Sequence, residues 1–326
     1  MTSRVDSSAK FRHRVTVVIP TIGRESLGTA VDSAVGQVGV DIDVWIIADL
    51  PRNALRAYQD SLLDERVRVR YTGGGRGASV ARQLGTELAE GEWIAFLDDD
   101  DRWFPEKLVS QLAAAYSRPA PTKVLASCQA ISRRQARGAA AVVPRDVYVG
   151  GDVAVYLFHK RRLSASRNTI HTSTLLLSAG LARAVGWDVG LPRHQDWDFI
   201  CRASRRPGVE VVQVARPLVE FGVGSTASIS ASADWRASLG WARANKHQWP
   251  ASAFRDFVVG QPFRYALLDK SVEGVLESLR AARECGGAPS LRSVALGLSG
   301  LLPRSAFDRA MHVAIQRSDL PTYGEA

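Results

Sequence analysis

The chain has 326 residues, 46% hydrophobic and 23% charged, which excludes a disordered chain and suits a soluble protein of about two domains with a sizeable core. Its 42 basic residues outnumber 33 acidic ones, and the formal net charge of +9 favours anionic partners such as phosphorylated small molecules, nucleic acid or an anionic membrane surface. Short basic clusters at Arg133–Arg134, Lys160–Arg161–Arg162 and Arg205–Arg206 fall short of a nucleic-acid tail, and the scattered Cys128, Cys201 and Cys285 give neither a disulfide framework nor a zinc site and fit a reducing compartment.

In chain order, Met1 to Arg14 is polar and basic and lacks the apolar core of a secretory signal. No stretch reaches the roughly 18 apolar residues of a spanning helix. The β-branched run Val15 to Pro20 predicts a buried strand ended by proline. Apolar residues at helical spacing predict a helix over Ser26 to Val38. Asp43 to Asp49 reads as a second buried strand, followed by a helix over Asn53 to Leu63 and a third strand over Val67 to Tyr71. Thr72 to Gly77, with four glycines, reads as a loop, and Ala78 to Ala89 as a helix. A fourth strand, Trp93 to Leu97, runs directly into Asp98-Asp99-Asp100-Asp101, and a helix follows over Pro105 to Tyr116. This alternation predicts a parallel, doubly wound α/β sheet with ligands beyond the carboxyl ends of its strands, where Asp49 and the Asp98 cluster fall.

Strand-like patches recur at Lys123 to Cys128, Thr174 to Ser178 and Val209 to Val214, among Arg-rich loops. From Asp234 the pattern is mainly helical, broken at Pro250, Pro262, Gly286-Gly287 and Pro303. Ser290 to Arg317 is amphipathic and basic, and reads as ordinary packed helix ahead of membrane contact.

Four consecutive aspartates repel one another and need compensation. A divalent cation with hard oxygen ligands, magnesium or manganese, supplies it. Asp98 and Asp100, two apart, face one site on an extended turn, where a metal could bridge a diphosphate. A solvated acidic turn, or a cap for the helix at Pro105, is the competing reading. Asp196 lies before a helix expected to begin at Trp197, so it is either an N-cap or a carboxylate base. Trp187 and Trp197 are sugar platforms or core residues in equal measure. His171 and His194 are structural residues ahead of metal or acceptor contacts.

Gly91-Glu92-Trp93-Ile94-Ala95-Phe96-Leu97-Asp98-Asp99-Asp100-Asp101-Arg102-Trp103-Phe104-Pro105 closely resembles the core motif of family 2 glycosyltransferases, over about residues 15–225. Val17 to Thr21 resembles that family's opening strand and donor turn, and Gly77 to Gln83 its segment beside the nucleotide. Gly186-Trp187-Asp188 and Gln195-Asp196-Trp197-Asp198 with Arg202 resemble its acceptor motif. The resemblance implies a GT-A type, doubly wound mixed and mainly parallel sheet over residues 14–228, after a polar tail over 1–13 and before a helical extension over 229–326. It implies an inverting transferase that moves a sugar from a nucleotide-diphosphate-sugar to a carbohydrate, lipid-linked or small-molecule acceptor. Donor contacts fall on Pro20, Thr21, Asp49 at the nucleotide base, Gly77, Arg82, Asp98 and Asp99, the Mn2+ or Mg2+ on Asp98 and Asp100, and the catalytic base on Asp196. No nucleic-acid partner is expected. The expected location is cytoplasmic, with peripheral contact at the inner face of the membrane left open, as is the oligomeric state.

The sequence departs from the family in places. Ala48-Asp49-Leu50-Pro51 replaces the usual Asp-Asp-Gly-Ser, Gly75 an asparagine, Gln83 an asparagine, and Gln195 a glutamate. The alternatives are an inactive GT-A binding or scaffold protein and a nucleotidyltransferase that makes the sugar donor. Pro20 to Arg24 is too short for the latter's glycine-rich loop.

Overall fold

Val15, Val17, Val18 and Ile19 are wholly buried on both faces of a strand, as their unbroken β-branched run requires. The computed structural model describes residues 13–52, 54–55, 64–133, 140–159, 168–222 and 234–302. The chain divides into two compact units: residues 1–142, 170–190 and 198–224 form the first, and 143–169, 191–197 and 225–326 the second.

The first unit holds β1 (Arg14–Thr21), α1 (Leu27–Val35), β2 (Asp41–Ala48), β3 (Val67–Tyr71), α2 (Ala78–Leu88), β4 (Trp93–Phe96), β5 (Arg102–Trp103) and α3 (Lys107–Tyr116), then β6 (Val124–Arg133) and β7 (Ala140–Val143). After α4 (Val153–Phe158) of the second unit come β8 (Leu176–Ser178), α5 (Ala179–Val185), α6 (Gln195–Ser204) and β9 (Glu210–Phe221). The strand order is β3-β2-β1-β4-β8-β6-β9-β5, with β7 beside β6. Strands β3, β2, β1 and β4 are parallel, with Val17 opposite Val44 on one side and Ala95 on the other. Strand β8 then runs antiparallel to both β4 and β6. The sheet is thus the mixed, mainly parallel one expected.

The edge strand β3 exposes Arg68 and Arg70 on alternate positions, a charged rim that discourages pairing with another chain. Helix α2 lies close against β1, because Gly85 carries no side chain where a Cβ would strike Val18. The expected helix over Asn53 to Leu63 lies almost wholly outside the described residues.

The second unit is helical from residue 234: α7 (Trp235–Asn245), α8 (Ala251–Val258), a π-helical turn (Val259–Phe263), α9 (Arg264–Leu268), α10 (Val272–Arg283) and α11 (Leu291–Leu298). Pro262 falls in the π turn, so the break expected there is a change of helix type. Among the described residues, no helix is long and apolar enough to cross a membrane.

Candidate active site

Strands β1, β2 and β4 are parallel neighbours, so Thr21, Asp49 and the aspartate turn emerge at one edge of the sheet. The turn closes through the amide of Asp101 donating to the carbonyl of Asp98 at 3.1 Å. Its side chains alternate. Those of Asp98 and Asp100 are 32% and 26% exposed, while that of Asp99 is 2% exposed. This is the facing of residues two apart that an extended turn produces.

Each inward carboxylate is anchored. Asp99 accepts a 2.6 Å bond from the Thr21 hydroxyl and a charged one from Arg24. Burial nevertheless pushes its pKa up. Asp101 accepts from Ser173, which lies in the turn before β8, and from the amide of Gly222 at 2.9 Å. Burial and the charge of Asp98 raise Asp101 to about 8. Of the outward pair, Asp98 takes a 2.6 Å bond from Arg82, and Asp100 lies 3.6 Å from Arg24. Two guanidiniums, those of Arg24 and Arg82, therefore face the turn and pair with Asp98, Asp99 and Asp100. Gly222 is required here, because a Cβ would run into the carbonyl of Asp100.

Asp49 sits beside this cluster, its amide bonded to the Thr21 carbonyl at 2.8 Å. Its carboxylate accepts from the Thr72 hydroxyl and from the amides of Arg76 at 2.9 Å and Gly77 at 2.8 Å. Burial pushes its pKa up, but these bonds outweigh it and hold it below the ordinary carboxylate value. Asp49 thus shapes the glycine loop. Gly77, at φ +87°, has open space where a Cβ would stand and leads into α2. Pro20 is buried next to Thr21.

Helix α6 begins at Gln195, two residues before the expected start at Trp197, so Asp196 lies inside its first turn and the competing N-cap reading falls away; its carboxylate accepts from the Trp197 amide at 2.9 Å. Asp196 belongs to the second unit, the acidic turn to the first. The two tryptophans part company. Trp187 is 5% exposed, stacks on Phe199 at 4.3 Å and carries the Arg82 guanidinium 5.1 Å from its ring, which makes it core. Trp197 packs on Phe158 and His194 in the second unit. His194 is structural: it stacks on Trp197 and Trp241, bonds Ser238 at 2.9 Å, and is lowered to about 3 by burial and by Arg193. His171 packs edge-on to Phe221.

Sequence reasoning missed Arg24, Ser173 and Gly222. Arg24 could have been found, as a lone cation three residues beyond the end of β1. Ser173 and Gly222 carry no local signal.

No group of three or more His, Cys, Asp or Glu side chains able to hold a metal converges among the described residues. The half-exposed carboxylates of Asp98 and Asp100 still fit a magnesium or manganese ion, which needs only one or two protein carboxylates and takes substrate phosphate oxygens and water for the rest. They do not fit a caged structural metal.

Residues 16–144 match the sequence model of the family described as Glycosyl transferase family 2. The chain is 28% identical to the amylovoran biosynthesis glycosyltransferase AmsB of Erwinia amylovora, over 81% of this chain and 89% of that one. It is 35% identical to TuaG of Bacillus subtilis (strain 168), named for teichuronic acid biosynthesis, over 30% of this chain and only 40% of that one. The crystal structure of S. aureus TarS 1-349 in complex with UDP-GlcNAc superposes with a TM-score of 0.61 at 16% identity, over 92% of this chain and 88% of that one, and shares its GT-A fold. The matched residues 16–144 hold the aspartate turn together with Thr21, Arg24 and Arg82, and this part of the chain is similar to glycosyl transferase family 2.

Proposed function

We propose that the chain is a metal-dependent, inverting glycosyltransferase that moves a sugar from a nucleotide-diphosphate-sugar to an acceptor hydroxyl in polysaccharide assembly. The observation that carries this reading is the alternation of the aspartate turn. Asp99 and Asp101 are tied inward by Thr21, Arg24, Ser173 and Gly222, which leaves Asp98 and Asp100 outward at the strand ends. Bound there, a divalent cation would neutralise the diphosphate as it departs. Pro20, Thr21, Asp49, Gly77, Arg82, Asp98 and Asp99 bind the donor. Arg82 and Arg24 offset the turn's charge and orient its oxygens. Asp196, in the first turn of α6, takes the proton from the acceptor hydroxyl as that oxygen attacks the anomeric carbon. The complex of TarS with UDP-GlcNAc and the polysaccharide names of AmsB and TuaG support donor and acceptor class.

The test is release of nucleoside diphosphate from a panel of nucleotide-sugars, with manganese, magnesium or chelator. One donor should be hydrolysed slowly, and chelator and Asp100→Ala should abolish this. Silence across the panel, with no donor binding in calorimetry in the presence of metal, would sink the reading in favour of an inactive fold.

A further inference from the structure

The hydroxyl of Ser173 holds both ends of the aspartate turn. It accepts from the Asp98 amide at 3.0 Å and donates to the Asp101 carboxylate. Ser173 is buried in a 3-10 turn (Thr172–Thr174), and two carbonyls of that turn are gripped from β5 and α3. The indole N–H of Trp103 donates to the Ser173 carbonyl at 2.8 Å, and the side-chain amide of Gln111 to the Thr174 carbonyl at 2.7 Å.

Both donors meet one cation. The Lys107 ammonium donates to the Gln111 side-chain oxygen at 2.7 Å and lies 4.0 Å from the centre of the Trp103 ring. Lys107 and Gln111 are four residues apart on α3 and so share one face of it. Lys107 is wholly buried, and among the described residues no carboxylate pairs with it. Burial lowers it to about 8, which leaves it mainly charged at neutral pH. An ammonium buried without a carboxylate costs free energy that an apolar side chain would avoid, so packing alone gives no reason for it. Its charge does act on its two neighbours. It draws electron density from the Gln111 amide and the Trp103 indole, and each N–H becomes a stronger donor. A continuous chain of contacts thus runs from α3 to the aspartate turn.

We propose that Trp103, Gln111 and Lys107 are positioning residues for the metal and diphosphate. They fix the Thr172–Thr174 turn, and through Ser173 they set the facing of Asp98 and Asp100. This role rests on the metal-dependent reading above.

Trp103→Phe and Gln111→Glu test it in the full chain. The first keeps the ring and removes its N–H. The second keeps an acceptor for Lys107 and removes the donor to Thr174. Hydrogen exchange at the Asp98 amide, followed by NMR, reports the grip without any metal. Calorimetry with the manganese complex of inorganic pyrophosphate reports the outward pair, whatever the nucleotide base. In each variant, well below its melting temperature, exchange should quicken about tenfold and the complex should bind about tenfold more weakly. Lys107→Met, which leaves both donors in place, should move both readouts the same way by about threefold. A part in stability alone would lower Tm and leave binding unchanged, and that result would overturn the proposal. So would unaltered exchange at Asp98 in all three variants. A wild type that binds no manganese complex would remove the metal reading itself, and this role with it. A wild type that binds it, with variants that bind it equally well, would remove the positioning role alone.

Discussion

Replacing Asp49 separates two roles for one carboxylate. The family resemblance gives it to the nucleotide base; in the structure both its oxygens are engaged by the glycine loop, through Thr72, Arg76 and Gly77. Asp49→Asn keeps the shape and one acceptor oxygen, which still serves Thr72 and Arg76. Its amide group then meets the Gly77 N–H, so that donor loses its partner. A hydrogen bond to a charged acceptor contributes about 1.5–3 kcal/mol. Asp49 is only 9% exposed, so solvent screens this little, and a loss of about 2 kcal/mol is expected. At about 2–4 °C per kcal/mol for a domain of this size, Tm should fall by about 4–8 °C. Because the folded pKa is depressed, the stabilisation is present above the ordinary carboxylate pKa and is lost as pH falls through the folded value. Thermal unfolding at neutral pH measures the loss, and donor KM across several nucleotide bases should rise by one common factor. A change in base preference with Tm unmoved would refute the loop-shaping role and return Asp49 to the base.

Lys107 is wholly buried, 4.0 Å over the Trp103 ring and bonded to Gln111 at 2.7 Å, and burial lowers it from 10.5 to about 8. With its folded pKa below the unfolded one, the charged form penalises the fold below about pH 8, and the penalty fades as pH rises from there to 10.5. Lys107→Met removes that penalty but strands the buried Gln111 oxygen, so its stability relative to wild type should fall by about 1–3 kcal/mol between pH 7 and pH 10 in urea. Gly222→Ala should push the Asp100 carbonyl aside and weaken manganese-dependent binding of nucleoside diphosphate on the order of tenfold or more in calorimetry. Asp196→Ala should lower kcat by about 100-fold or more and leave donor affinity unchanged, whereas Asp100→Ala should weaken donor binding with metal. Equal loss of donor affinity in both would remove the division of roles.

The parallel half of the sheet was legible because its strands are buried on both faces. Strand β3 spans Val67–Tyr71 as read, and β1 differs by one residue at each end. The facing of Asp98 and Asp100 followed from their spacing. The antiparallel half was harder. Strand β9 runs to Phe221, well past the Val214 where its apolar pattern breaks, because a bulge between Cys128 and Ala130 lets Pro217 sit opposite Gln129. The two-residue strand β5 exists only through its pairing with Glu220 and Val219. Ser173 and Gly222 reach the acidic turn from distant segments, and nothing local marks them. Trp187 was undecided in the sequence because its buried role depends on Phe96 and Phe199. The packed helix expected over Ser290 to Arg317 is described only to Leu302; in α11 Ser293 and Gly297 take the inner face, Leu296 packs beside Gly260, and Leu291 and Leu298 are exposed.

The reversal of β8 against β4 bears on chain length. In a purely parallel sheet, the residues after a strand reach the ligand edge. Here the residues before β8 do so, and they bring Ser173 to Asp101. The chain departs the first unit after Val142 and rejoins it at Ile170, three residues ahead of that serine. The excursion between those points is tethered at both ends to fixed scaffold. A change in chain length there leaves the register of β8, and with it the Ser173 anchor of Asp101, in place, whereas Phe158 of α4 is fixed by its packing on Trp249 and Phe257.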